Sequence, residues 1–288
     1  MAERRVLVCG AGDHLRDAVA HQAGAGHSVA LYEPEVARAE AGRERIARNL
    51  ERAVAKGRLS SDERNEQLGR LAVASSLESG AAGVELVVEA VYEDEHVKRE
   101  LFAELDRLAP ATAILASNTS SISISRLAAG VAPERRPRFV GMHFFSPVPV
   151  IPLIELIRGA ETDDATEAYV RELAAELGKQ VIVSRDQPGF IVNRMLMPFL
   201  AEAMRAYEAG LATADDIDAG AKVGLNHPMG PLELADFIGL DVCLHIMEVL
   251  HDGFGDERFA PPPVLRRLVE AGDLGQKTGR GFHVHPRE

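Results

Sequence analysis

Through the first two thirds of the chain, short apolar runs alternate with longer amphipathic stretches. The runs Arg4–Cys9, Ser28–Tyr32, Leu86–Glu89, Ala113–Ala116, Arg138–Met142 and Val181–Val183 predict strands. Several are continuously apolar instead of alternating, as expected of strands covered on both faces. The pattern therefore implies an α/β fold, a mostly parallel sheet with helices on each side. Between the second and third of these strands lies a charged insertion, from Pro34 to about Gly69, in which Ile46, Leu50, Val54 and Leu59 form a helical stripe. It reads as two helices broken near Lys56-Gly57.

After Val183 the β-rich runs stop. Asp186-Gln187-Pro188-Gly189 reads as a turn and helix start, with Asp186 as a cap and Pro188 tolerated in the first turn. Helical periodicity follows over Phe190–Ala209, Ala214–Val223, Leu232–His251 and Val264–Ala271, separated by Pro and Gly clusters. The expected organisation is a first domain over 1–184 and a second, all-helical domain over 185–288.

Composition narrows the function classes. The 288 residues carry a formal net charge of −12 with no basic cluster, which disfavours a polyanion-binding surface and hence a nucleic-acid partner. No apolar stretch approaches the roughly 20 residues that span a bilayer, so no membrane partner is expected. The two cysteines, Cys9 and Cys243, are far apart and lack metal-ligand spacing. They fit a reduced, cytoplasmic compartment and no metal site.

The first strand leads into Gly10-Ala11-Gly12-Asp13-His14-Leu15, at the start of a helix. Gly10 and Gly12 permit a tight turn and close approach of a pyrophosphate to a helix N-terminus. Glu33 closes the second strand about 20 residues later, at the spacing of a ribose-hydroxyl acceptor, and its charge would repel a 2′-phosphate. The first domain is therefore expected to be Rossmann-like and to prefer NAD over NADP. Leu15 stands where this fingerprint has Gly or Ala, and Asp13 adds negative charge that Arg16 offsets. Leu15 thereby impairs the phosphate motif.

Asn49-Leu50-Glu51-Arg52, Glu89-Ala90-Val91, Ser117-Asn118-Thr119-Ser120-Ser121, His143-Phe144-Phe145-Ser146-Pro147-Val148-Pro149, Pro188-Gly189-Phe190-Ile191-Val192-Asn193-Arg194, Pro228-Met229-Gly230-Pro231-Leu232-Glu233-Leu234 and Lys277-Thr278-Gly279-Arg280-Gly281-Phe282 follow one another along the chain. In identity and order these motifs resemble those of 3-hydroxyacyl-CoA dehydrogenases, and most closely the short, single-function 3-hydroxybutyryl-CoA type. The resemblance implies oxidation of an L-3-hydroxyacyl-CoA at C3 with hydride passing to NAD, and reduction of the 3-ketoacyl-CoA in reverse. It assigns His143 as general base and Glu155 as the carboxylate that orients the imidazole. Alcohol oxidation needs such a pair, because a proton leaves oxygen as hydride leaves carbon and imidazole titrates near neutrality.

By the same resemblance Ser120 and Asn193 bind the reacting oxygen, from opposite sides of the domain boundary. Glu93, Lys98 and Ser146 line the cofactor site together with Gly10, Gly12 and Glu33, and Lys56 meets the CoA nucleotide. Ser146 departs from the Asn commoner at its position, and Pro152 stands where many members have Lys. A homodimer is implied, with Met195, Leu196, Phe199 and Leu200 forming one apolar stripe and Phe237, Ile238, Leu240, Leu244 and Met247 another. An intramolecular core accounts for part of the same residues. Two other functions stay open: a divergent acyl-thioester-binding member with impaired cofactor use, or a dehydrogenase of carrier-protein-bound or free hydroxy acids.

Overall fold

A computed structural model describes residues 3–10, 12–145 and 147–286. The chain divides into two compact units between Gln187 and Pro188. The sequence pattern put this change at Ser184 or Arg185, where the last strand ends.

The first unit is built on one eight-stranded sheet of order β3-β2-β1-β4-β5-β6-β7-β8. Its strands are β1 (Arg5–Cys9), β2 (Ser28–Tyr32), β3 (Leu71–Val73), β4 (Leu86–Glu89), β5 (Ile114–Ser117), β6 (Phe139–Phe144), β7 (Leu153–Arg158) and β8 (Gln180–Arg185). All neighbours are parallel except β6 and β7. The carboxyl ends of β1, β2, β4, β5 and β6 therefore share one end of the sheet. The chain order reverses between β1 and β4, which opens the crevice in which sheets of this kind bind ligands.

Helices α1 (Asp13–Gly24), α2 (Val36–Ala55), α3 (Ser61–Gly69), α4 (Leu77–Ala81), α5 (Glu95–Leu108), α6 (Ile124–Ala128) and α7 (Asp164–Glu176) complete the unit. The insertion is the expected helix pair, broken at Lys56-Gly57, and α3 begins with a Ser60–Glu63 capping box. One core joins Val6, Val8, Leu86 and Val88 of the central strands to Val19 of α1 and Val170 and Leu173 of α7. At about 25 cal/mol per Å² of apolar surface removed from water, such contacts dominate the stability of the unit.

Several elements differ from the sequence pattern. The run ending at Met142 continues to Phe144, so His143 lies within β6 and not beyond it. Two strands, β3 and β7, are not predicted by the sequence pattern. Asp186 does not cap the helix that follows it. Its carboxylate accepts from Ser123 Oγ at 2.8 Å and from the amides of Ile124 at 2.9 Å and Ser125 at 2.8 Å, tying β8 to the start of α6.

The second unit is helical: α8 (Val192–Glu208), α9 (Ala214–Ala219), α10 (Pro231–Ile238), α11 (Leu240–Phe254) and α12 (Pro263–Glu270). The stretch Leu232–His251, expected as one helix, is two. Gly239 breaks it with φ 103°, a left-handed conformation in which any residue with a Cβ is strained. Leu200, Met204, Leu232, Leu240, Met247 and Leu250 form the core of this unit. Among the described residues no helix is long and apolar enough to cross a membrane.

Candidate active site

At the carboxyl end of β1, Gly10 has φ 116° and donates its amide to Tyr32 O at 2.8 Å. This brings the turn beside the end of β2, where Glu33 is half-buried. Gly12 is the N-cap of α1, and among the described residues no atom beyond its chain neighbours lies within 4 Å of where its Cβ would stand. Open backbone at a helix start, with an acid beside it, fits the pyrophosphate and ribose of a dinucleotide. The placements that would test the expected packing effect of Leu15, and the charges of Asp13 and Arg16, lie outside the described side chains. Ser146 also lies outside the described residues.

The imidazole and carboxylate singled out in the sequence face one another. β6 and β7 pair in a register that sets His143 opposite Glu155, and His143 Nδ1 lies 3.1 Å from Glu155 Oε2. Glu155 is fully buried and His143 is 7 % exposed. With Nδ1–H donating to the carboxylate, Nε2 is left as the proton acceptor. On the same face, two residues back along β6, Gly141 keeps the strand close to its neighbours: a Cβ there would stand 2.8 Å from Ile157 and 2.9 Å from Ile124. The ring of Phe145 packs at 4.5 Å from the His143 ring.

Ser120 sits in the turn after β5, and its neighbour Asn118 accepts from the amide of Phe144 at 2.9 Å. That bond ties the serine turn to the end of β6, one residue from His143. Glu93 organises the turn. Its Oε1 accepts from Thr119 Oγ1 at 2.5 Å, from Ser120 N at 3.0 Å, from Ser121 Oγ at 3.1 Å and from Ser120 Oγ at 3.4 Å. Burial acts to raise this carboxyl, but Lys98 and the hydroxyl and amide donors hold it below the ordinary carboxylate range. Lys98 is 1 % exposed, with Nζ 2.5 Å from Glu89 and 3.2 Å from Glu93. Its charge is thus turned inward and meets the crevice by way of Glu93.

Sequence reasoning missed three participants. Glu89, fully buried at the end of β4, read as part of a motif and nothing more; an acid closing an otherwise apolar run was the available signal. Asp186 read as a cap for the wrong helix. Lys179 gave no signal, since a lysine after a helix ordinarily faces solvent. Here its Nζ donates to Val148 O at 2.5 Å and Ile151 O at 2.9 Å, fixing the loop between His143 and Glu155. Burial holds its ammonium below the usual lysine range.

Lys56 is exposed at the C-cap of α2, with exposed Arg52 and Arg58 near it in sequence. Asn193 belongs to the second unit, buried in the first turn of α8. Both cysteines are free and buried, and burial pushes the Cys243 thiol up to about 12. Neither is poised as a nucleophile. Among the described residues there is no cluster fit to hold a metal ion.

Paired proton-transfer groups at the end of a sheet that can hold a dinucleotide are what a nicotinamide-dependent oxidoreductase requires. The comparisons with known proteins give the class a family. Residues 5–187 match the family model "3-hydroxyacyl-CoA dehydrogenase, NAD binding domain", and residues 189–285 match "3-hydroxyacyl-CoA dehydrogenase, C-terminal domain". The chain belongs to the 3-hydroxyacyl-CoA dehydrogenase family and is an NAD-dependent dehydrogenase. It is 47 % identical over 286 residues to a 3-hydroxybutyryl-CoA dehydrogenase of Mycobacterium tuberculosis, covering 99 % of both chains. Identity to the Bradyrhizobium diazoefficiens 3-hydroxybutyryl-CoA dehydrogenase is 48 % over 281 residues, covering 97 % of this chain and 94 % of that one. The crystal structure of M. tuberculosis FadB2 superposes with a TM-score of 0.95 at 46 % identity, over 99 % of this chain and 100 % of that one.

Proposed function

We propose that the protein interconverts short-chain L-3-hydroxyacyl-CoA and 3-ketoacyl-CoA thioesters, with 3-hydroxybutyryl-CoA and acetoacetyl-CoA as the natural pair. The observation that carries this reading is the facing pair of His143 and Glu155. Its support on chain length is the near-full-length similarity to 3-hydroxybutyryl-CoA dehydrogenases.

NAD, when bound, supplies the hydride acceptor. In the oxidative direction His143 Nε2 takes the proton of the 3-hydroxyl, while Glu155 keeps Nδ1 protonated and stabilises the imidazolium that forms. In reduction the imidazolium returns that proton to the oxygen. Ser120 hydrogen-bonds the reacting oxygen, and the family resemblance assigns Asn193 to substrate binding. Gly10, Gly12 and Glu33 hold the dinucleotide, and the resemblance adds Ser146 beside them. Lys56, with Arg52 and Arg58, supplies the local positive charge that an anionic CoA needs when it approaches a chain of net charge −12.

The test is acetoacetyl-CoA-dependent loss of NADH absorbance, with cofactor binding followed separately by NADH fluorescence. Turnover with saturable NADH binding is expected. Binding without turnover would shift the substrate to carrier-protein-bound or free acids, and absence of binding would leave a cofactor-impaired acyl-thioester binder.

The quaternary and cellular assignments are a homodimer, a cytoplasmic location and a role in fatty acid metabolism. Leu200, Leu240 and Met247 belong to the core of the second unit, but Met195 is 65 % and Phe237 49 % exposed. Large apolar side chains left at the surface support association. Light scattering should give about twice the 31.1 kDa chain mass, and a monomer at micromolar concentration would end the dimer assignment.

A further inference from the structure

Glu89 takes no part in the reaction as written, yet its surroundings connect it to a residue that does. It closes the β4 sequence Leu-Val-Val-Glu and is fully buried. Its Oε1 accepts from Lys98 Nζ at 2.5 Å and from Val91 N at 2.7 Å, and its Oε2 from Ser117 Oγ at 2.6 Å. Burial pushes this carboxyl up, with Lys98 and Ser117 pulling it down. A buried ion pair is a poor source of stability compared with apolar residues of the same size, so its presence in an apolar strand calls for another explanation.

Two routes lead from Glu89 to the turn that carries Ser120. The first runs through charge: Lys98 spans Glu89 and Glu93, and Glu93 holds the hydroxyls of Thr119 and Ser121 and the amide of Ser120. The second runs along β5: Ser117 donates to Glu89 and accepts from Thr119 N at 3.3 Å. Two acids around one lysine leave one negative charge in excess, and the donors of the turn converge on it at Glu93. Ser120 Oγ is the most distant of those donors. The network therefore fixes the backbone of the turn that carries Ser120.

We propose that Glu89 is a positioning residue for the dehydrogenase reaction, acting through Lys98–Glu93 and through Ser117 to hold Ser120 in place. The proposal rests on Ser120 as the residue that binds the reacting oxygen.

The experiment compares Glu89→Gln, Ser120→Ala and the double variant in the NADH and acetoacetyl-CoA assay. Amide hydrogen exchange is measured over residues 119–122 in the cofactor-free protein. Glu89→Gln is expected to lower kcat by about tenfold or more while KM for both substrates stays within about threefold, the signature of an interaction used in the transition state. In the Ser120→Ala background the same substitution should cost less than about twofold. Exchange of the Ser120 amide should quicken by about tenfold, reporting on the turn without any turnover. Ser117→Ala, which cuts one route only, should show the same pattern at smaller size, and it keeps the proposal testable if Glu89→Gln folds poorly. Losses that multiply in the double variant would overturn the proposal, as would unchanged exchange in the turn or a defect confined to the NADH dissociation constant. Absence of turnover in the unsubstituted protein would instead remove the functional reading and leave the exchange result to judge the network.

Discussion

Each unit of the molecule buries carboxylates, and the two sets do different work. In the first unit buried Glu89 and Glu155, joined by half-buried Glu93, face a lysine, hydroxyls and an imidazole at the end of the sheet. In the second, Asp218 and Asp236 bind mainly backbone. Asp236 accepts from the amides of Phe282 and His283, each at 2.9 Å, and pairs with His285 Nε2 at 2.9 Å. Asp218 accepts from Leu232 N at 2.8 Å and Glu233 N at 3.0 Å at the start of α10, and pairs with His283 Nε2 at 2.7 Å. A Cβ on Gly281 would stand 2.0 Å from Asp236, and one on Gly230 2.2 Å from Asp218, so glycine is what lets the chain close on these acids. The same side-chain chemistry positions reactive groups in one place and fastens a terminal segment in the other. In the proposed reaction what separates the roles is the partner: side chains that exchange protons or meet a ligand in the first unit, mainly backbone amides in the second.

Substitutions should separate the two sets cleanly. His143→Gln is expected to lower turnover by roughly 10²–10⁴ with little change in stability, the loss associated with a general base. Asp236→Ala should do the reverse. Leaving two half-buried amides and an imidazole without their acceptor should cost about 1–3 kcal/mol, with proteolysis opening the segment after Gly275 first and kcat well below the transition temperature unchanged within about twofold. Equal losses of stability in both variants would erase the distinction.

A smaller effect sharpens it further through pH. Glu93 is held below its ordinary range in the folded state, so its stabilising contribution is present above the unfolded value of about 4.3 and is lost as pH falls through the lower folded value. The stability difference between the unsubstituted protein and Glu93→Gln, read from urea unfolding, should be largest near neutrality and shrink toward zero below roughly pH 4. A difference that stays constant from neutral pH into that range would show that Glu93 acts by packing and not by charge.

Much of this was legible in the sequence where a local rule sufficed. Short apolar runs, several of them continuous, disclosed six of the eight strands among the described residues, because strands covered on both faces need no alternation. β3 is only three residues long at the sheet edge, and in β7 Glu155 interrupts the apolar run. The acid that obscured the strand is the one that the strand exists to present to His143. The break at Gly239 was hidden because the apolar periodicity of α10 and α11 continues through it. At the site, His143 and Ser120 were visible as motif residues and Glu155 through the family resemblance, but their partners are fixed by pairings remote in sequence. Glu89 looked like a strand-end acid and Lys98 like a lysine lining the cofactor site, and only the fold shows that they are enclosed together.

The central claim is that His143 and Glu155 act as one acid–base unit, and a double-substitution cycle on kcat tests it directly. Turnover of NADH and acetoacetyl-CoA is compared in the unsubstituted protein, His143→Gln, Glu155→Gln and the combined variant. If the carboxylate works only through the imidazole, the combined variant is no slower than His143→Gln alone, within about twofold. Losses that multiply would contradict the account, because Glu155 would then be contributing to the reaction without His143.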